Sequence, residues 1–373
     1  MTVVRRTFKL GLAMLPATIL FAVLAIFGCR CLNARGPHWS ASFAGFPSEI
    51  HQLPDGGYVL VRCHGVLGRC DSVGLLCTDS KLKQRWSVDY FTSSNPGRIR
   101  SVLSTTDGGF LLTCRDATSG RTQLVLVDWR GSVAWRLDIT SLYNNLSSTS
   151  GKYLSGVGCS CPTADGGYVT TGGQEGLVAL VKVNSAGKQE WQATGDSGPG
   201  NWVVQSFDHG YLVACEHPAR LCKFESTGHA VWVRDLRAVA SSFKYAYLAP
   251  NGECVMVTSY EPEIAKLDTA GNLQWQSTLG CDAVASVQPT SDGGFILAGS
   301  THDADVALVK TDSLGREEWI RQFGGHEEEY GVWAEQTADG GYILAGYSVW
   351  RSFVNGDPMG HDIKLRKTDA NGN

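Results

Sequence analysis

What this chain lacks most is a helical signal. Beyond its first residues no stretch repeats apolar side chains at helical spacing, and only four Met occur in 373 residues. A helical bundle or solenoid is therefore excluded. Neither charge dominates: 32 Lys and Arg stand against 36 Asp and Glu, interspersed, for a formal net charge of -4. Without a basic stripe or an acidic tail, no nucleic-acid partner is expected. Also missing are a CxxC pair, a GxSxG elbow, an HExxH helix and a Walker loop. No catalytic residue and no metal ligand set is assigned from motif, although loop residues scattered along a chain build sites that motifs do not reveal.

What is present is a repeat. Forty-four Gly and eleven Trp describe a chain rich in turns and aromatics. A four-residue turn recurs seven times: DGGY at Asp55, DGGF at Asp107, DGGY at Asp165, DHGY at Asp208, NGEC at Asn251, DGGF at Asp292 and DGGY at Asp339. Successive copies are 52, 58, 43, 43, 41 and 47 residues apart, near the period of propeller blades. The cleanest unit spans 284–324, where SDGG and SLGR turns separate short runs such as Phe295-Ile296-Leu297-Ala298 and Val306-Ala307-Leu308-Val309. Gly accepts positive φ while Asp or Ser caps its own turn. Runs that are apolar on both faces are expected between neighbouring sheets. The fold expected is all-β: a seven-bladed β-propeller of four-stranded antiparallel blades over residues 37–373.

Six units end in a turn followed by a Trp, at Trp86, Trp135, Trp191, Trp232, Trp275 and Trp319, the turn containing Gly in all but the first, while the seventh runs out at Asn373. The missing outer strand is supplied from the other end. Trp39 and Phe43 repeat the Trp-to-Phe spacing of Trp319 and Phe323 ahead of the first DGG unit. Closing the ring there removes two open sheet edges. The closing Trp residues are read as packing anchors and the turn Asp residues as turn caps.

These residues resemble the DGG-type propeller repeats of exported bacterial proteins and, more loosely, the quinoprotein-like (PQQ-like) superfamily. Leu308 to Trp319, LVKTDSLGREEW, looks like the tryptophan-docking segment of quinone-cofactor dehydrogenases, in which a Gly turn and a Trp lock adjacent blades. The resemblance implies architecture and is confined to that strand. Those dehydrogenases usually have eight blades and a calcium-bound quinone, so no cofactor is carried over.

The N-terminus has Arg5, Arg6 and Lys9 before an uncharged run from Leu10 to Gly28. Residues 1–36 are thus a signal peptide or membrane anchor, and export follows in either case. Ile26-Phe27-Gly28-Cys29 resembles a lipoprotein box that would lipidate Cys29, Phe27 being the departure from it. Arg5-Arg6 also resembles a twin-arginine signal, weakened by Lys9. Twelve Cys fit an oxidising exterior. Cys63 with Cys70, and Cys215 with Cys222, share one spacing after equivalent strands, which suggests hairpin disulfides; alternatively Cys215 fills a position where only small side chains fit.

Counting back six residues from each turn gives an inner-strand ring of Glu49, Ser101, Cys159, Trp202, Tyr245, Ser286 and Trp333. These residues either fill the space between blades or face a ligand. The turns lie on one side of the disc, leaving the variable loops on the other. The ligand-facing patch expected there comprises Trp202, Tyr245 and Trp333, with Glu329 and Tyr330 above them. The expected role is recognition or scaffolding by a monomer: capture of a protein partner in the cell envelope, with membrane contact through the N-terminal segment only. A glycan or peptide ligand is the alternative, and an envelope hydrolase, lyase or quinone-dependent enzyme a further one.

Overall fold

The computed structural model describes residues 41–64, 72–92, 98–105, 108–115, 121–140, 157–174, 176–216, 218–239, 243–249, 251–258, 262–325, 327–351 and 358–373. The leader, with Cys29, lies outside them, as do Trp39 and Cys70.

Seven separate four-stranded antiparallel sheets form the blades. Their inner strands are Phe46–Gln52, Arg98–Ser104, Val157–Pro162, Gly200–Gln205, Phe243–Leu248, Ala283–Pro289 and Glu328–Gln336, numbered here as blades 1 to 7. Six blades are sequential hairpins. The seventh takes Ala41–Ala44 as its outer strand, with Phe43 opposite Ile363 and Ala41 opposite Leu365. The ring therefore closes through the two ends of the repeat region, as the sequence implies. Gly45, at φ 111°, turns that outer strand directly into the inner strand of blade 1.

The core is a set of apolar layers between sheets. Between blades 6 and 7, Ile296, Ala298 and Leu308 meet Ala334, Tyr342 and Leu344. At the closure, Ile50, Leu60 and Leu76 of blade 1 meet Trp333, Ile343 and Ile363 of blade 7. The middle strands, buried on both faces as in Ser72–Thr78, have the unbroken apolar character expected of them.

Two turn contacts repeat around one side of the disc. In the DGG turn the Asp Oδ1 accepts the N–H of the second Gly, at 2.9 Å for Asp55 and Gly57 and 3.1 Å for Asp165 and Gly167. The same carboxylate pairs with a cation on a neighbouring strand, Lys182 with Asp165 at 3.0 Å and Lys310 with Asp292 at 2.8 Å. Lys182 and Lys310 are buried, and each also meets a second carboxylate, Glu190 or Glu318. In the second contact, the Gly turn of one blade seats on the closing Trp of the blade before it. A Cβ on Gly315 would stand 2.3 Å from the Trp275 ring, one on Gly187 2.6 Å from Trp135, and one on Gly372 2.8 Å from Trp319. All three glycines have positive φ, so the turn and the close approach both require Gly. This is the blade-locking role the sequence suggests for those Trp residues.

The expected Cys215–Cys222 disulfide is not formed. Both are free thiols, with their sulfurs 4.0 Å apart. Cys215 faces Arg220 across the ladder and Cys222 faces Val213, so the pair is diagonal, and diagonal neighbours at about 7–8 Å are too far apart for a bridge. Cys63 is disulfide-bonded, while its expected partner lies outside the described residues.

Candidate functional site

Every inner strand carries a bulge at the same height. In blade 4, Gly200 faces Cys215 and Trp202 faces Ala214, leaving Asn201 extra; in blade 7, Gly331 faces Gly346 and Trp333 faces Ala345, leaving Val332 extra. The other five inner strands shift register at the equivalent point. A bulge re-aims side chains out of the alternating pattern. Here it lies at the channel end opposite the DGG turns and turns five of the bulge residues toward the channel. Ser48, Gly158, Asn201, Ala285 and Val332 line a cavity of about 290 Å³ there, with Glu49, Cys159, Trp202, Tyr245 and Trp333. In blades 2 and 5 the bulge positions are Arg100 and Lys244.

Six of the seven ring residues divide into two groups. Glu49, Ser101 and Ser286 tie blades together: each accepts a backbone N–H of the next blade, from Val102 at 2.9 Å, Ser160 at 3.3 Å and Ala334 at 3.2 Å. Trp202, Tyr245 and Trp333 instead form an aromatic arc. The Trp202 and Tyr245 rings are 5.5 Å apart and those of Tyr245 and Trp333 5.6 Å, both edge to face. Three of the five expected patch residues are thus brought together at the mouth. Trp333 is 7% exposed and its indole N–H has no hydrogen-bond partner.

The other two are placed elsewhere. Tyr330 stacks on Tyr347 at 5.3 Å and lines a second cavity of about 240 Å³, which shares Ala285 and Val332 with the first. Glu329 lines neither cavity. Its segment is not a loop but the start of the inner strand Glu328–Gln336, and alternation turns Glu329 into the protein, 5% exposed, with its N–H on the Ala304 carbonyl.

His51 and Glu335 belong to the site without having been foreseen. His51 lies between two carboxylates, with Nδ1 3.3 Å from Glu335 and Nε2 3.5 Å from Glu49, and its ring packs edge-on against Trp333 at 5.4 Å. Burial alone would lower its pKa, but the bonds and charges of Glu335 and Glu49 outweigh it and raise the value to about 10. The imidazolium clamps blade 1 to blade 7, and Glu335 also accepts the Gln52 N–H across the same seam. One signal would have found the pair: each lies two residues beyond a ring position, on the same face by strand alternation.

No protein-family model matches the chain, and no curated protein matches it. Solved structures do resemble it. A streptogramin B lyase is 10% identical with a TM-score of 0.61, covering 89% of this chain and all of that one. The WD40 propeller domain of Doa1 is 11% identical at a TM-score of 0.58, covering 90% of this chain and 98% of that one. YCF48 bound to a D1 peptide is 12% identical at 0.56, covering 91% and 99%. Identities this low establish fold alone. The chain is a seven-bladed β-propeller.

Proposed function

We propose that this chain is an exported propeller, held at the membrane by its N-terminal segment or by lipid on Cys29, that captures a protein partner in the cell envelope with its channel mouth. The observation that carries this reading is the break in repetition. Where every blade is free to repeat a small packing residue, three of them place Trp202, Tyr245 and Trp333 around a cavity, and large aromatics at a concave, part-polar site are the usual anchors of recognition. The peptide held by YCF48 lends support by analogy of fold only. A sugar would also stack on this arc, and a glycan array addresses that alternative. An enzyme of the hydrolase or lyase kind would draw its proton acceptor from Glu49, the carboxylate in the cavity wall, and activity lost on Glu49→Gln is the result that would favour it.

The test is crosslinking and pull-down from envelope fractions with the wild type and Trp202→Leu, which keeps apolar packing against Phe243 but removes the aromatic face. Capture of the wild-type partner should fall at least about tenfold, the loss of one anchor. Equal capture by both proteins would sink the proposal. The double alanine change at Trp333 and Tyr330 is a poorer test, because Trp333 belongs to the seam core and its truncation would loosen the ring.

A further inference from the structure

We infer that the channel mouth recognises a cationic side chain, a lysine or arginine presented by an extended peptide, with the ammonium or guanidinium between Glu49 and the aromatic arc and a peptide carbonyl on the Trp333 indole N–H. This rests on the recognition reading above and specifies its ligand chemistry.

Three observations converge on it. The first is charge. Glu49 is the one charged side chain among the described residues lining the cavity, and a carboxylate has about four acceptor sites. Glu49 Oε2 takes the Val102 N–H and faces His51, which leaves acceptor capacity on the other oxygen. The His51 imidazolium neutralises one of the two carboxylates around it, so the Glu49–His51–Glu335 cluster retains one net negative charge beside the mouth. The second is the arc itself. Trp and Tyr faces attract cations through the ring quadrupole, Trp most strongly, and Trp202 and Tyr245 are only partly buried at the cavity wall.

The third is the unpaired donor. The Trp333 indole N–H is buried in a cavity wall with no partner, and such a group costs about 1–3 kcal/mol unless something satisfies it. A cation alone cannot do so, since it has no acceptor to offer. A peptide can: its carbonyl accepts from Trp333 while its side chain supplies the positive group. The adjoining Tyr330 and Tyr347 cavity, reached past Ala285 and Val332, extends the path along which such a chain would lie. A preference for anions is the opposing outcome, with the His51 imidazolium as the cation beside the mouth.

The experiment uses three acetylated seven-residue peptides, identical except for a central lysine, norleucine or glutamate, titrated calorimetrically against the full chain. The lysine peptide should bind about tenfold more tightly than the norleucine peptide and the glutamate peptide weakest. Glu49→Gln keeps an oxygen for the Val102 N–H and should bring the lysine-to-norleucine ratio close to one. Trp333→Phe keeps a ring but removes the N–H, and should weaken both peptides while preserving their ratio. Equal wild-type binding of lysine and norleucine peptides, or tighter binding of the glutamate peptide, overturns the inference without needing any variant to fold. Should no peptide bind while partner capture still depends on Trp202, the recognition reading stands and this inference falls. Should capture ignore Trp202 as well, both fall.

Discussion

On one face of the disc the same two contacts recur from blade to blade, Asp with its turn Gly and a neighbouring cation, and a Gly turn on the Trp before it. Across the disc the corresponding strand ends carry Glu49, Ser101, Cys159, Trp202, Tyr245, Ser286 and Trp333. The two faces belong to the same strands and differ in what constrains them. The Gly–Trp contact joins one blade to the next at five junctions, while Gly271 meets Arg234 and blade 1 has Leu82 at that turn position. At the mouth the ring residue stands beside a bulge that re-aims it, and no single side-chain contact repeats from blade to blade there. Repeated packing contacts lie on the turn face and the non-repeating aromatic arc on the mouth face.

The severest way to break that division is to open the ring. Deleting residues 37–45 removes the outer strand of blade 7, exposes the edge of Pro358–Thr368 and takes Phe43 and Ala41 out of the seam. A loss of about 4 kcal/mol or more is expected, enough to abolish a single cooperative melt; an unchanged calorimetric transition would show that closure contributes little. Trp319→Ala should cost about 3 kcal/mol by emptying the seat under Gly372. The same variant should leave peptide affinity at the mouth unaltered, the reverse of Trp202→Leu, and any parallel loss of affinity would mean that the faces are coupled.

The smallest effect expected is with acid. Asp165, Asp208, Asp292 and Asp339 have carboxyl pKa values lowered to about 2. At Asp208 the chief cause is Lys223 and at Asp339 it is the Thr337 hydroxyl, whereas at Asp165 and Asp292 burial acts upward first and is outweighed by the hydroxyl, the lysine and the turn N–H. Folded values below the unfolded one of about 3.9 mean that their stabilisation is complete above pH 4 and is lost as pH falls toward 2. All four carboxylates are more than half exposed, so the contribution is modest and salt-sensitive. Melting midpoints of the wild type should decline from pH 4 to pH 2, and the fourfold Asp→Asn variant should decline less steeply. Parallel curves would remove the turn face from the account of acid stability.

The fold was legible because each of its rules is local. DGG and the Gly–Trp pair state their turn chemistry within four or five residues, and the truncated last unit states where the ring closes. The site was legible in part, since counting from the turns found Trp202, Tyr245 and Trp333. It did not find the clamp of His51 on Glu335, residues 284 positions apart, because only closure of the ring brings them together. Glu329 was misplaced for another reason: a run of three acids looks like a solvated loop, yet the strand begins within it. Cys215 and Cys222 were misjudged because spacing along the chain does not reveal register, and register made them diagonal.

The bulges also bear on how such a protein diversifies. Each is a single residue counted once in its own strand and not at all by the strand beside it, so replacing it leaves every ladder pairing intact. Five such residues, Ser48, Gly158, Asn201, Ala285 and Val332, line one opening, each on a separate blade. Together they form a combinatorial address: any one can be rewritten without redrafting the others, so a common scaffold can vary its opening while its ladders stay the same.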